Sequence, residues 1–253
     1  MANAMKTYLK HMHKKFGYRA AWEPNRQATV GVYGKIHKGV FSPYGTLEKL
    51  GINVEIQTKE TNNVLEYTSE GSTQITTKLK GETAAAFEGL LDADAGFAVE
   101  FGKEDSIVFK AKGIISHELV NKAEVQAAIK DIRSKDKNKW SRKYVIVTEV
   151  LEAKGATILI SNNSNSRIEL KVNGDVNATQ IDIADASLGF EIVKNRGIGI
   201  KVIANDGLTP LYRLSQMKKK LWGGIGDLGS KNLEGGEDAF EDLPLDENEF
   251  DQD

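Results

Sequence analysis

The sequence predicts an α+β fold: a large, twisted, mostly antiparallel sheet with a few helices. Three features predict it. Apolar and polar residues alternate with period two over 53–112 and in most of 144–204, as in antiparallel strands with one face on a core and one in water. Helical spacing is confined to three segments. The longest β-branched run, KYVIVTEVLEAKGATILI at 143–160, reads as two long strands broken at Gly155. A chain of 253 residues, 40% hydrophobic, can build one large domain and an appendage. We divide it into a body, 1–222, and a Gly-rich linker with an acidic tail, 223–253.

Residues 5–16 form the first helix. Met5, Leu9, Met12 and Phe16 recur at i, i+4, i+7 and i+11, with Tyr8 beside them, as one apolar stripe. Lys6, Lys10 and Lys14 make a basic stripe, Lys15 and Arg19 add charge, and Gly17 stops the helix. Such a helix docks by its apolar stripe with its lysines solvated, or offers them to anionic lipid. Short strands follow at 29–32 and 35–41, then a turn at Ser42-Pro43-Tyr44-Gly45 and a helical turn at 46–50. Val54 and Ile56 open the alternating region. Ile75, Thr77 and Leu79 continue it, then Phe97, Val99 and Phe101, then Ile107, Phe109 and Ala111. Gly71, Gly81 and Lys103-Glu104-Asp105 mark turns or loops, and Ala-rich 83–94 is a short helix or a mobile loop.

A second helix spans 121–134. Asn121 is its cap, Glu124 completes a capping-box-like pattern, and Leu119, Val125, Ala128, Ile129 and Ile132 form its apolar side. An exposed polar loop, SKDKNKWSRK, follows. Strands return at 144–153, 156–161, 167–172, 188–193 and 198–204, with a polar loop at 161–166. Thr209 caps and Pro210 opens a third helix running through Trp222. Glycines at 223–229 break it, and the acidic tail is expected to be poorly ordered.

The absence of Cys excludes a disulfide framework, a thiolate zinc site, a cysteine nucleophile and S-palmitoylation. The N-terminus lacks the apolar core of a signal peptide, and no run approaches the ~18 apolar residues of a spanning helix, so a cytoplasmic protein is expected. The net charge of −2 hides a split: residues 231–253 hold ten acids and one Lys, or −9, which leaves +7 on residues 1–230. A basic body suits an anionic partner such as lipid or nucleic acid, and the tail either masks that surface in cis or only solubilises.

Catalytic motifs are lacking. Of His11, His13, His37 and His117, the first two lie on different faces of one helix with no acid close in sequence. Gly224-Ile225-Gly226-Asp227-Leu228-Gly229 has the letters of a dinucleotide loop but follows a helix instead of a strand. Glu88, Asp92 and Asp94 lack the Gly and terminal Glu of a calcium loop. The chain therefore reads as non-enzymatic, with no cofactor and no metal.

Three blocks carry a resemblance. The first, 6–51, is a short basic helix, then Gly17-Tyr18, Pro24 and Gly45-Thr46-Leu47-Glu48-Lys49-Leu50-Gly51. The second is the 121–134 helix followed by 144–160, and the third is 181–212. In order and character these are similar to bacterial gasdermins, whose central strand reads much like YVIVTEVLEAK. The resemblance implies an autoinhibited pore former, monomeric when soluble, acting in antiviral defence and cell death. An activating protease would release its C-terminal element. The body would move from the cytoplasm to the inner membrane, bind anionic membrane lipid and form a homo-oligomeric β-barrel pore.

Onto this chain the resemblance places lipid binding at Lys6, Lys10, Lys14, Lys15 and Arg19. It places membrane-inserting strands at Val54, Ile56, Ile75, Leu79, Phe97, Val99, Phe101, Ile107, Phe109, Ile158, Ile160, Ile168 and Leu170. Activation would fall at Lys218, Lys219, Lys220 or the Gly223 to Gly229 stretch. Two departures stand out: several bacterial members carry lipid on an N-terminal Cys, which this chain lacks, and the tail is far more acidic than is expected of a segment tucked into the body. The alternatives are a nucleic-acid-binding module using exposed Trp22, Trp140 and Trp222 with a tail bearing Phe240 and Phe250, or a structural β protein of a phage or secretion system.

Overall fold

The computed structural model describes residues 2–22, 28–173, 180–219, 238–246 and 250. Its elements run α1 (Ala2–Phe16), β1 (Arg19–Ala20), β2 (Val32–His37), β3 (Val40–Thr46), a 3-10 turn (Glu48–Leu50), β4 (Ile56–Glu60), β5 (Val64–Thr68), β6 (Thr73–Lys78), β7 (Gly96–Phe101) and β8 (Ile107–Leu119). Then come α2 (Lys122–Lys135), β9 (Val145–Ser161), β10 (Ser166–Val172), a 3-10 turn (Ala186–Leu188), β11 (Phe190–Arg196), β12 (Ile198–Asn205), β13 (Leu208–Lys219) and β14 (Asp238–Asp242). The architecture is the expected one, mostly antiparallel strands, with two α-helices among the described residues. The chain divides into two compact units, and β4, β8, β9 and β13 each contribute residues to both.

The first unit comprises 1–27, 59–116 and 151–211. It contains a four-stranded antiparallel sheet in the order β11-β10-β7-β6. Phe97, Val99 and Phe101 from β7, and Ile168, Leu170 and Val172 from β10, pack with Val108, Leu159, Ile181, Ile183 and Ile198 in one core. The apolar side of the period-two reading holds for these strands, with Val99 opposite Ile168 on one side and Ile75 on the other, but the expected wet face does not: Ala98, Arg167 and Glu169 are buried as well. Helix α1 buries Tyr8, Leu9 and Met12, so its apolar stripe docks as expected, and Gly17 N–H closes it onto His13 O at 2.8 Å.

Several expectations are corrected here. Gly155 does not break a strand: β9 runs unbroken for 17 residues. A Cβ at Gly155 would sit 2.1 Å from Ala184 O, so the glycine admits a neighbouring backbone. Of the two readings of 83–94, helix or loop, it is a loop with turns, and the expected third helix is strand β13. Thr209, Leu211, Tyr212, Leu214 and Ser215 are all buried there, and Ala21 N–H reaches Pro210 O at 2.9 Å. A Pro tolerates an extended strand whose N–H is not needed, as well as it tolerates a helix start. Residues 220–222 of that expected helix, and the Gly-rich 223–229, lie outside the described residues.

The second unit comprises 28–58, 117–150 and 212–253. In it β2 and β3 form a hairpin whose two-residue turn is Lys38-Gly39, both left-handed at φ 49° and 78°. Ser42, Pro43, Tyr44 and Gly45 are therefore strand instead of turn, with a register shift at Tyr33/Gly34 opposite Pro43. Helix α2 forms as expected, but Asn121 makes no side-chain cap. Its amide instead accepts from Glu55 N at 3.0 Å and donates to Asn53 O at 3.2 Å, tying 53–55 to the helix start. Trp140, expected in an exposed loop, is 1% exposed and packs against Tyr33 and Tyr144. The acidic tail also contributes order: residues 238–242 pair antiparallel with 215–219 as β14 on β13.

Candidate membrane-facing surface

In the first unit α1 forms one wall of an open pocket of about 730 Å³. Thr7, His11, Lys14 and Lys15 line it from the helix, and Tyr67, Ser69 and Lys103 from the neighbouring strand and loops. Apolar contact sets the helix's position: Phe16 lies 5.5 Å, ring to ring, from Phe109 on β8. Polar contact sets its rotation. Tyr67 Oη meets His11 Nδ1 at 2.5 Å, and Asn3 donates to Asp105 at 2.7 Å. Partial burial, and then the charge of Lys14, hold His11 below the ordinary imidazole pKa, favouring the neutral ring.

The sequence-predicted cations separate into three groups. Lys14 and Lys15 are exposed on the pocket rim. Lys6 and Lys10 are half-buried. Arg19 is 3% exposed in β1, where both residues are buried, and is not available at a surface in this form. Glu70, Glu104 and Asp105 share the pocket with Lys14, Lys15 and Lys103, so its formal charge is balanced, and Lys14 and Lys15 are its exposed cations on α1.

The expected membrane strands sit in two places. Phe97, Val99, Phe101, Ile107, Phe109, Ile158, Ile160, Ile168 and Leu170 are buried. Leu79 packs against the core and Val54 is half-buried. Ile56 and Ile75 stay 48% and 40% exposed. Strands β6 and β11 end the four-stranded order, and β11 exposes Ile192 as β6 exposes Ile75.

Of the expected activation region, Lys218 and Lys219 lie in β13 opposite Ala239 and Asp238, so they belong to a paired ladder and not to an open linker. Lys220, Gly223 and Gly229 are outside the described residues. The tail strand is held by more than its ladder: Ser215 Oγ donates to Asp242 at 3.1 Å, and Leu243 N–H to Leu214 O at 2.8 Å.

Sequence reasoning missed the charged residues buried inside the first unit. Glu169 is 0% exposed and Arg167 8%, on β10; Lys78 is 1% exposed at the end of β6. Alternation assigns all three to wet faces, and nothing local signals that a distant loop covers them. Among the described residues, no group of three or more His, Asp or Glu side chains is arranged to hold a metal. No helix among them is long and apolar enough to cross a membrane. Trp22 is half-buried, and Trp222 is outside the described residues.

No family model and no curated protein matches the chain. Among solved structures, a bacterial gasdermin from Bradyrhizobium tropiciagri is similar to it, at 14% sequence identity, covering 94% of this chain and 91% of that one, with a TM-score of 0.35.

Proposed function

We propose that this chain is a gasdermin-type membrane pore former held inactive by its C-terminal segment. The observation that carries the reading is the acidic strand β14 on β13. It is a removable strand on the edge of a body that is basic once residues 231–253 are discounted. Its removal leaves an unpaired β edge on a cationic body. Bilayer hydrocarbon offers no partner for edge N–H and C=O groups, so strands enter it only as a closed barrel, which makes oligomerisation obligatory. Lys14 and Lys15 on α1 bring the body to anionic lipid, and the alternating strands of the four-stranded sheet supply the barrel wall.

The test is dye release from anionic liposomes by the full chain and by a chain ending at Gly229. Release by the shortened chain alone is the expected outcome. Release by both retains the pore and removes the tail as its lock. Release by neither, with single-stranded DNA still bound, replaces this reading with the nucleic-acid module.

A further inference from the structure

Four aromatic side chains of the second unit meet at the β2–β3 hairpin. Tyr33 lies 5.1 Å, ring to ring, from Trp140 and 5.4 Å from Tyr144. Tyr144 stands at 86° to Trp140, 5.4 Å away, and at 86° to Tyr44, 5.7 Å away. Trp140 is buried, Tyr33 and Tyr144 are half-buried, and Tyr44 is 56% exposed. Tyr44 and Tyr144 thus form a right-angled corner that reaches solvent. A cation already sits in it. Lys35 Nζ lies 5.4 Å from the Tyr44 ring centre and 5.6 Å from that of Tyr144. Among the described residues no carboxylate pairs with this ammonium.

The backbone is shaped to build the corner. Tyr33 is opposite Gly45 and Gly34 is opposite Pro43, so Tyr44 is an extra residue in β3, a β-bulge. A bulge re-aims one side chain out of the strand's alternation, here an exposed tyrosine beside Lys35. Two glycines make room for it. A Cβ at Gly34 would sit 2.0 Å from Ser42 O, so the bulge closes only on a glycine. A Cβ at Gly45 would sit 3.0–3.1 Å from the ring and hydroxyl of Tyr33, which occupies that space. The Ser42-Pro43-Tyr44-Gly45 stretch is therefore not a turn, and its chemistry lies in the ring it presents.

We propose that Tyr44 and Tyr144, with Tyr33 and Trp140 packed against Tyr144, form a binding site for a trimethylammonium group, and that Lys35 is its resident stand-in. The negative faces of two rings at right angles attract a cation from two sides. A primary ammonium is a poor occupant, because it is strongly hydrated and its N–H donors find no acceptor on a ring face. A trimethylammonium group has no N–H to satisfy and sets methyl groups against the rings. The lack of a carboxylate partner favours the methylated cation over the primary one. The stem of Lys35 is flexible, so it swings out when the corner fills. The site does not depend on the membrane reading, and failure of dye release leaves it standing.

The test is titration of the full chain with tetramethylammonium chloride, followed by the ring-proton chemical shifts of Tyr44 and Tyr144. Saturable shifts are expected, with none from ammonium chloride at the same concentration. Lys35→Ala removes the competing occupant and should tighten binding severalfold, a change that a purely structural Lys35 would not produce. Tyr44→Ala should weaken binding about tenfold, and Tyr44→Phe, which keeps the ring face, should retain it. Equal response to the two salts, or no saturable shift even in Lys35→Ala, overturns the site. Unaltered affinity in Lys35→Ala overturns the stand-in. Flotation with phosphatidylcholine vesicles then separates the sources. Capture that is lost in Tyr44→Ala assigns the group to a lipid headgroup, and binding of the free ion without capture assigns it to a soluble methylated amine.

Discussion

His11 connects the docking of α1 to pH. Its folded pKa lies below 6.5, from partial burial and then Lys14, so the unfolded chain takes up a proton first as pH falls. The stabilisation from the neutral ring is fully present above 6.5 and is lost as pH falls through the folded value. The melting temperature should therefore drop between pH 7 and pH 5, and His11→Gln should flatten that drop. An unaltered slope in the variant would remove His11 as its cause. The sequence made the helix legible, because its buried Leu9 and Met12 follow a simple spacing. It did not show that His11 meets Tyr67, 56 positions away, nor that Arg19 is buried, since both depend on which strand lies alongside.

Strand β9 shows how far a local pattern reaches. Its β-branched residues made it legible as strand, but Gly155 read as punctuation when its purpose is contact. Thr157 Oγ1 donates to Ile183 O beside it, and the 181–186 segment lies against the strand. Gly155→Ala is expected to cost about 1–3 kcal/mol, because the Ala184 carbonyl must shift. Urea unfolding measures this, and an unchanged midpoint would mean that the 181–186 segment yields without cost. Strand β13 was misread for a related reason. Thr-Pro followed by mixed apolar residues fits a helix start or an edge strand, and the pairing with β14 and β1 that settles it lies far away in sequence. The tail was misread because net charge predicts solvation, whereas DAFED needs only a free β edge to become a strand.

For the molecule as a whole, the division of charge sets the expected behaviour. Exposed lysines near an anionic bilayer contribute about 1 kcal/mol each, so Lys14→Ala/Lys15→Ala should weaken binding to anionic vesicles by roughly 30-fold. Binding by the chain ending at Gly229 should also fall as salt shortens the Debye length from about 10 Å at 0.1 M to about 3 Å at 1 M. Vesicle co-sedimentation tests both, and salt-independent binding would assign the attachment to apolar contact instead. The pairing of β14 with β13 carries one more consequence. Eighteen residues separate Lys219 from Asp238, and a tether of that length keeps the tail strand at an effective concentration on the order of millimolar beside its partner. A cut in the tether breaks none of the ladder hydrogen bonds. It turns an intramolecular partner into a separate peptide, so that under the autoinhibition proposed above release follows by dilution.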